Sequence, residues 1–357
     1  MSTASVKAAP AKSGDDYRAQ TILQLMRPLV PYLDNPAVTE LRVRPGQVVT
    51  DAFKEKGYED APELSLPYLR SLATAMIAYA GLSVRSVNYV TLPGSERGTI
   101  LMPPVVLEGT LTIVIRKHSA VVKSAHQLDE EGAFADCRDV SFNQPTEAEA
   151  KAEAERTDFR RLEPFELELL DLKRQGRIRD FLLRCVALKR NIVVSGKAGS
   201  GKTTLTRSLI EAVPTDEHIA TIEDVHELFL PNHKEVTNLF YGDGSGRIFA
   251  LACLAACMRI TPERIFLAEL RGGEALEYTN ALNTDHGGGI TTTHANGAIE
   301  AFDSIATLIK NSDVGRTLEM ESIKHVLYTT VDVVLYMRAR KVLQVFYDPI
   351  FKRRQMS

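Results

Sequence analysis

Apolar positions recur along this chain with two periods, and the places where one gives way to the other divide it into segments. From Tyr17 to Leu33, Ile22, Leu25, Met26, Leu29 and Leu33 share a helical face; from Leu64 to Tyr79, Leu69, Leu72, Met76 and Ile77 do the same. Around the second helix, residues 36–119 alternate in strand-like fashion and end in the apolar run Leu111–Ile115 before Arg116. This pattern predicts a small α+β domain over residues 17–119. Residues 1–16 are small and polar, lack the apolar core of a signal peptide, and are expected to be a disordered tail. From His126 to Arg161 the periodicity lapses. Ten acidic and five basic residues predict an interdomain linker over 120–161, with an exposed helix from Thr146 onward.

From Leu162 the pattern changes again. Helical periods over 165–175 and 178–187 lead into short apolar runs at Ile192–Val194, His218–Ile222, Arg264–Ala268 and Ile290–Thr293. Such runs predict strands covered on both faces, as in a parallel sheet with helical crossovers. Helices near 298–310 and 316–329 follow, then strands Val331–Met337 and Val342–Phe346 joined by a basic turn. The longest uninterrupted apolar run, Phe249–Met258, is ten residues, against the roughly 20 that a bilayer span needs, and predicts a buried helix.

The chemistry gathers at the ends of these strands. After Ile192–Val194 comes Gly196-Lys197-Ala198-Gly199-Ser200-Gly201-Lys202-Thr203-Thr204, a complete phosphate-binding loop between a strand and a helix. Glycines let the backbone amides turn inward around an anion, and the helix N-terminus adds partial positive charge. Lys202 can reach β- and γ-phosphates, and the Thr203 hydroxyl can hold Mg²⁺. The next strands end in Glu223-Asp224, in Glu269 and in His294, which follows the flexible run His286-Gly287-Gly288-Gly289. Acids at these positions also suit helix capping, and a lone histidine also suits a structural role. Their joint arrangement after a phosphate loop, at one sheet edge, favours a site.

In this order, GKAGSGKTT (196–204), TIEDVHEL (221–228), RITPERIFLAELRGGEA (259–275) and HGGGITTTHAN (286–296) resemble the Walker A, Asp, Walker B and His boxes of the secretion superfamily ATPases. The chain is especially similar to the hexameric traffic ATPases of type IV secretion and conjugation systems. The N-terminal segments NPAVTELRVRPGQV (35–48) and TLTIVIRKHS (110–119) resemble that family more loosely. Ala268 stands where the family usually has glycine, and Asp285 and Gly287 where it usually reads Gly-His-Pro. The resemblance implies a RecA-like ATPase domain over 162–357 and ATP and Mg²⁺ as cofactors. It further implies that Glu223 polarises water, that Glu269 with Thr203 serves the metal, and that His294 senses the γ-phosphate. Arg116, or else Arg97, would supply a cation from the N-terminal domain. It also implies a homohexamer, peripheral at the cytoplasmic face of the inner membrane, working with membrane subunits and other ATPases of the apparatus.

Composition agrees and narrows the rivals. At 357 residues and 44% hydrophobic, the chain suits two domains with packed cores. A net charge of −3 gives no strong nucleic-acid signal. Cys137, Cys185, Cys253 and Cys257 have no metal or disulfide spacing. A GTPase is disfavoured because no Asn-Lys-x-Asp base-reading motif occurs. A small-molecule kinase, a type II secretion or pilus motor, a DNA-pumping motor and a nucleotide-gated scaffold with little turnover stay open as alternatives.

Overall fold

The computed structural model describes residues 17–52, 56–94, 96–117, 122–242, 247–284 and 286–356 and divides into two units, with the boundary after residue 119. The expected tail 1–16 and Asp285 lie outside the described residues.

The first unit opens with α1 (Tyr17–Leu25) and α2 (Val30–Leu33). The single helix expected over 17–33 is broken by a 3₁₀ turn at Arg27–Leu29, because Pro28 and Pro31 have no N–H to donate. There follow β1 (Val38–Arg44), β2 (Gly46–Ala52), β3 (Lys56–Ala61), α3 (Leu66–Tyr79), β4 (Val87–Thr91), β5 (Arg97–Leu101) and β6 (Thr112–Arg116). The strands form one antiparallel sheet in the order β3-β2-β1-β6-β5-β4. Alternate strand residues, including Leu41, Val43, Ile100, Ile113 and Ile115, pack with Ile22, Leu29, Leu69, Leu72 and Met76 of the helical segments into one core.

The second unit begins with α4 (Ala125–Glu130), β7 (Arg138–Asp139) and α5 (Glu147–Ala154). This corrects the expected linker over 120–161, whose described residues are built into the unit. β7 pairs with the distant strand β14 (Lys341–Phe346), while Leu128, Phe134 and Ala150 are buried. The charge run is the wet face of this segment; Leu128, Ala133, Phe134 and Ala150 all the same reach the core, while Phe142 and Phe159 stay exposed. Capping boxes at Ser124/Gln127 and Thr146/Glu149 start its two helices.

Then come α6 (Pro164–Arg174), α7 (Ile178–Ala187), β8 (Ile192–Gly196), α8 (Lys202–Ile210), β9 (Ile219–Glu223), β10 (Val236–Phe240), α9 (Ala250–Ile260) and β11 (Arg264–Leu267). They are followed by α10 (Glu274–Leu282), β12 (Ile290–Thr293), α11 (Ile299–Lys310), α12 (Met320–Thr330), β13 (Val333–Arg338), β14 and α13 (Pro349–Gln355). Two ladders, β12-β8-β13-β14-β7 and β10-β9-β11, carry the strands. The neighbours β12-β8-β13 and β10-β9-β11 are parallel, as the continuous apolar runs predict, and β13-β14 is the antiparallel hairpin. Beyond the end of β11, the Leu270 N–H donates to Thr292 O at 2.8 Å and Thr292 Oγ1 donates to Ala268 O at 2.9 Å, joining the ladders. The expected buried helix, α9, is buried on one side only. Cys253, Leu254 and Cys257 face the core, whereas Phe249 is 80% and Leu251 51% exposed. Among the described residues no helix is long and apolar enough to cross a membrane.

Candidate nucleotide site

β8 is buried at all five positions, so its C-terminal end is rigid where the phosphate loop leaves it. Gly196 has φ +147°, and a methyl group there would lie 2.4 Å from Met337 O. Gly201, at φ +103°, is the left-handed N-cap of α8. The loop tip, Lys197, Ala198 and Gly199, is exposed, while Ser200 turns inward and its carbonyl accepts the Arg340 N–H at 2.9 Å. Lys202 is buried, its Nζ donating to Gly196 O at 2.8 Å and Lys197 O at 3.3 Å. Thr203 and Thr204 occupy the first turn of α8. Asn191, just before β8, receives the Gly288 N–H at 2.9 Å and donates to Thr330 O at 2.9 Å, so it fixes the glycine run that leads to His294.

Three strand ends meet beside this loop. His294 places Nδ1 3.2 Å from Gly196 O and Nε2 2.6 Å from Glu269 Oε1. Glu269 Oε2 accepts from Arg271 at 2.6 Å, and Arg271 Nη1 donates to Asp224 Oδ2 at 2.7 Å. Burial alone would lower the affinity of the Arg271 guanidinium for its proton, but the charges of Asp224 and then Glu269 outweigh it and raise its pKa. Burial, reinforced by Asp224, likewise pushes the Tyr241 hydroxyl up.

Glu223 is placed differently from the other candidates. Its side chain is fully buried. Oε2 accepts the Glu227 and Leu228 N–H groups at 2.6 and 2.7 Å, and Oε1 accepts the Thr221 hydroxyl at 2.9 Å with His226 Nδ1 at 3.3 Å. Its acceptor positions are thus taken up in folding the 224–228 loop, and Asp224 is the member of the pair joined to Glu269 through Arg271. Sequence reasoning missed Arg271, Asn191 and Arg340. Arg271 lies inside the Walker B stretch without an assigned role, Asn191 and Arg340 lie outside the four boxes, and the contacts that reveal them reach across 47 to 140 residues.

His286, whose surroundings the altered His box left open, is buried with Nδ1 2.8 Å from Pro262 O, a structural tie before β12. Ala268 has no positive φ, so its methyl group fits where the family usually has glycine. In the first unit, Arg97 and Arg116 stand directly opposite each other on β5 and β6.

For a metal, the described residues hold no group of three or more His, Cys, Asp or Glu side chains. One hydroxyl and one carboxylate, Thr203 and Glu269, still suit Mg²⁺, which completes its shell from phosphates and water. Ser200 Oγ and Thr293 Oγ1 are buried without a hydrogen-bond partner, polar capacity that a bound polyphosphate would use.

Comparison with known proteins gives the chain a family. The model of the type II/IV secretion system protein family matches residues 151–342. Type IV secretion system protein VirB11 of Brucella suis biovar 1 is 37% identical over 352 residues, covering 94% of this chain and 92% of its own. The protein PtlH of Bordetella pertussis is 32% identical, covering 88% and 89%. Among solved structures, the VirB11 ATPase of Brucella suis in complex with sulphate aligns at TM-score 0.52 over 94% of this chain and 99% of that one. The pilus retraction motor PilT with bound ADP, 17% identical, shares the fold at TM-score 0.57 over 88% and 77%.

Proposed function

Because the chain belongs to the type II/IV secretion system protein family, with VirB11-like relatives along nearly all of its length, we propose that it is a traffic ATPase whose RecA-like unit hydrolyses ATP to power type IV secretion. The observation that supports this reading is the chain of contacts from Gly196 O through His294 to Glu269, which links the Glu269 carboxylate to the phosphate loop.

In this reading the amides of 197–203 and Lys202 would hold the β- and γ-phosphates, and Thr203 and Glu269 would hold the metal. Mg²⁺, when bound, neutralises charge on the β- and γ-oxygens. Lys202 exchanges its contacts with Gly196 O and Lys197 O for phosphate oxygens. His294, within reach of both the loop carbonyl and Glu269, reports whether a γ-phosphate is in place. Glu223, expected to polarise the attacking water, braces the 224–228 loop, its oxygens accepting from the Glu227 and Leu228 N–H groups and the Thr221 hydroxyl. Arg116, with Arg97 opposite it, supplies the additional cation for charge moving to the leaving oxygens, a role that rests on the family resemblance. The same resemblance supports a ring of six protomers, peripheral at the cytoplasmic face of the inner membrane, that engages other subunits of the apparatus.

The test is hydrolysis by purified Lys202→Ala and Arg116→Ala proteins, with sizing in ATP and Mg²⁺. Lys202→Ala is expected to abolish turnover with unfolding unchanged, and Arg116→Ala to lower the rate more than it weakens ATP binding. Undiminished turnover by Lys202→Ala, or full activity in a strict monomer, would overturn the corresponding claim.

A further inference from the structure

Arg271 stands two residues beyond Glu269 and bridges two acids from different strands. Its Nε and Nη2 lie 2.6 Å from Glu269 Oε2, and its Nη1 lies 2.7 Å from Asp224 Oδ2. The backbone beneath it is fixed, because the N–H groups of Arg271 and Gly272 both donate to Glu274 Oε1, at 2.6 and 2.8 Å. Asp224 is held from its other side as well, its carbonyl accepting from Arg247 Nη1 at 2.6 Å. A planar guanidinium can give different edges to different carboxylates, which the point charge of a lysine cannot do. Without that cation, two carboxylates brought to one spot would repel and turn apart.

We propose that Arg271 is a positioning residue for hydrolysis: it holds Glu269 with one oxygen on His294 and ties Asp224 to it, so that the ends of β9, β11 and β12 act as one charged unit. This rests on the nucleotide reading of the site. Arg271 acts through Glu269 and Asp224, and its loss misaligns carboxylates that phosphoryl transfer to water needs in register. Loss of a supporting group of this kind lowers activity by about 10- to 100-fold. It should fall on kcat, because the phosphate loop and Lys202, which carry ground-state binding, are left intact.

The experiment compares full-length Arg271→Ala, Arg271→Lys, Asp224→Asn and the Asp224→Asn/Arg271→Ala double variant with the unaltered protein. Steady-state hydrolysis, equilibrium binding of a fluorescent ATP analogue and thermal unfolding are measured on each. Arg271→Ala is expected to lower kcat about 10- to 100-fold with analogue affinity within about threefold, and Arg271→Lys to recover only part of the rate. The double variant should be little slower than the slower single one, since both remove the same tie. Unchanged kcat in Arg271→Ala would overturn the proposal. So would losses that multiply in the double variant, or affinity and melting temperature that fall in step with kcat. Failure of the nucleotide reading looks different: Lys202→Ala would then hydrolyse as fast as the unaltered protein.

Discussion

The two oxygens of Glu223 each receive hydrogen-bond donors, two of them the backbone N–H groups of Glu227 and Leu228 in the 224–228 loop. Replacing the carboxylate by an amide would turn an NH₂ group toward donors or leave a buried N–H unpaired, which costs about 1–3 kcal/mol. Glu223→Gln is therefore expected to lower unfolding stability by that amount in urea titration. Unchanged stability with lost hydrolysis would return the residue to water activation. Glycine-lysine spacing in the phosphate loop is local, so all of 196–204 was legible in the sequence, as were Glu269 and His294 at strand ends. Which acid of Glu223-Asp224 faces the cluster was not. That choice is made by a partner 47 residues away, Arg271, and adjacent strand residues point to opposite faces.

At the scale of elements, the turn between β13 and β14 is notable for its backbone. Ala339 and Arg340 both have positive φ, +49° and +66°, the conformation of a two-residue hairpin turn that usually takes Asn-Gly. Each non-glycine residue held there costs roughly 1 kcal/mol. The Ala339→Asn/Arg340→Gly variant is thus expected to raise stability by about 1–2 kcal/mol in chemical denaturation. The bond to Ser200 O comes from the backbone N–H of residue 340 and survives the change, so binding of an ATP analogue should stay the same. A fall in stability would show that the turn is held by side chains rather than strained by them. The hairpin itself was legible from two β-branched runs around a basic turn. Its left-handed backbone was not, because neither alanine nor arginine signals it. The helix break at Arg27–Leu29 could have been read from Pro28 and Pro31. The exposed side of α9 could not, because an all-apolar run has no polar face to mark what stays uncovered.

Across the whole molecule, most strands of the second unit followed from its apolar runs, but the edge strand β10 and the place of residues 122–161 did not. Composition marks that segment as wet, whereas long-range bonds decide its position. Lys173, on α6, is 3% exposed at its side chain and reaches Asp139 Oδ2 at 2.8 Å, Ser141 Oγ at 2.9 Å and Tyr347 O at 2.7 Å. Burial lowers its pKa, and the Asp139 carboxylate opposes that shift. Removing one partner of a buried pair leaves the other charge uncompensated, at about 3–5 kcal/mol. Lys173→Met is expected to destabilise the protein by about 3 kcal/mol, seen as an earlier urea midpoint, while its phosphate loop stays intact once folded. A loss below about 1 kcal/mol would mean that solvent screens the pair.

The pairing of β7 with β14 also sets an order of events during synthesis. Every strand of the first unit's sheet lies within residues 38–116, so that sheet can close early, as N-terminal domains generally fold first on the ribosome. The second unit must wait. Its edge strand finds a partner, Asn143 finds Asp348, and Ser200 O receives its N–H from residue 340 only after residues 340–348 have been translated. A chain cut short before residue 340 therefore lacks both the N–H that braces Ser200 O and the strand that pairs with β7.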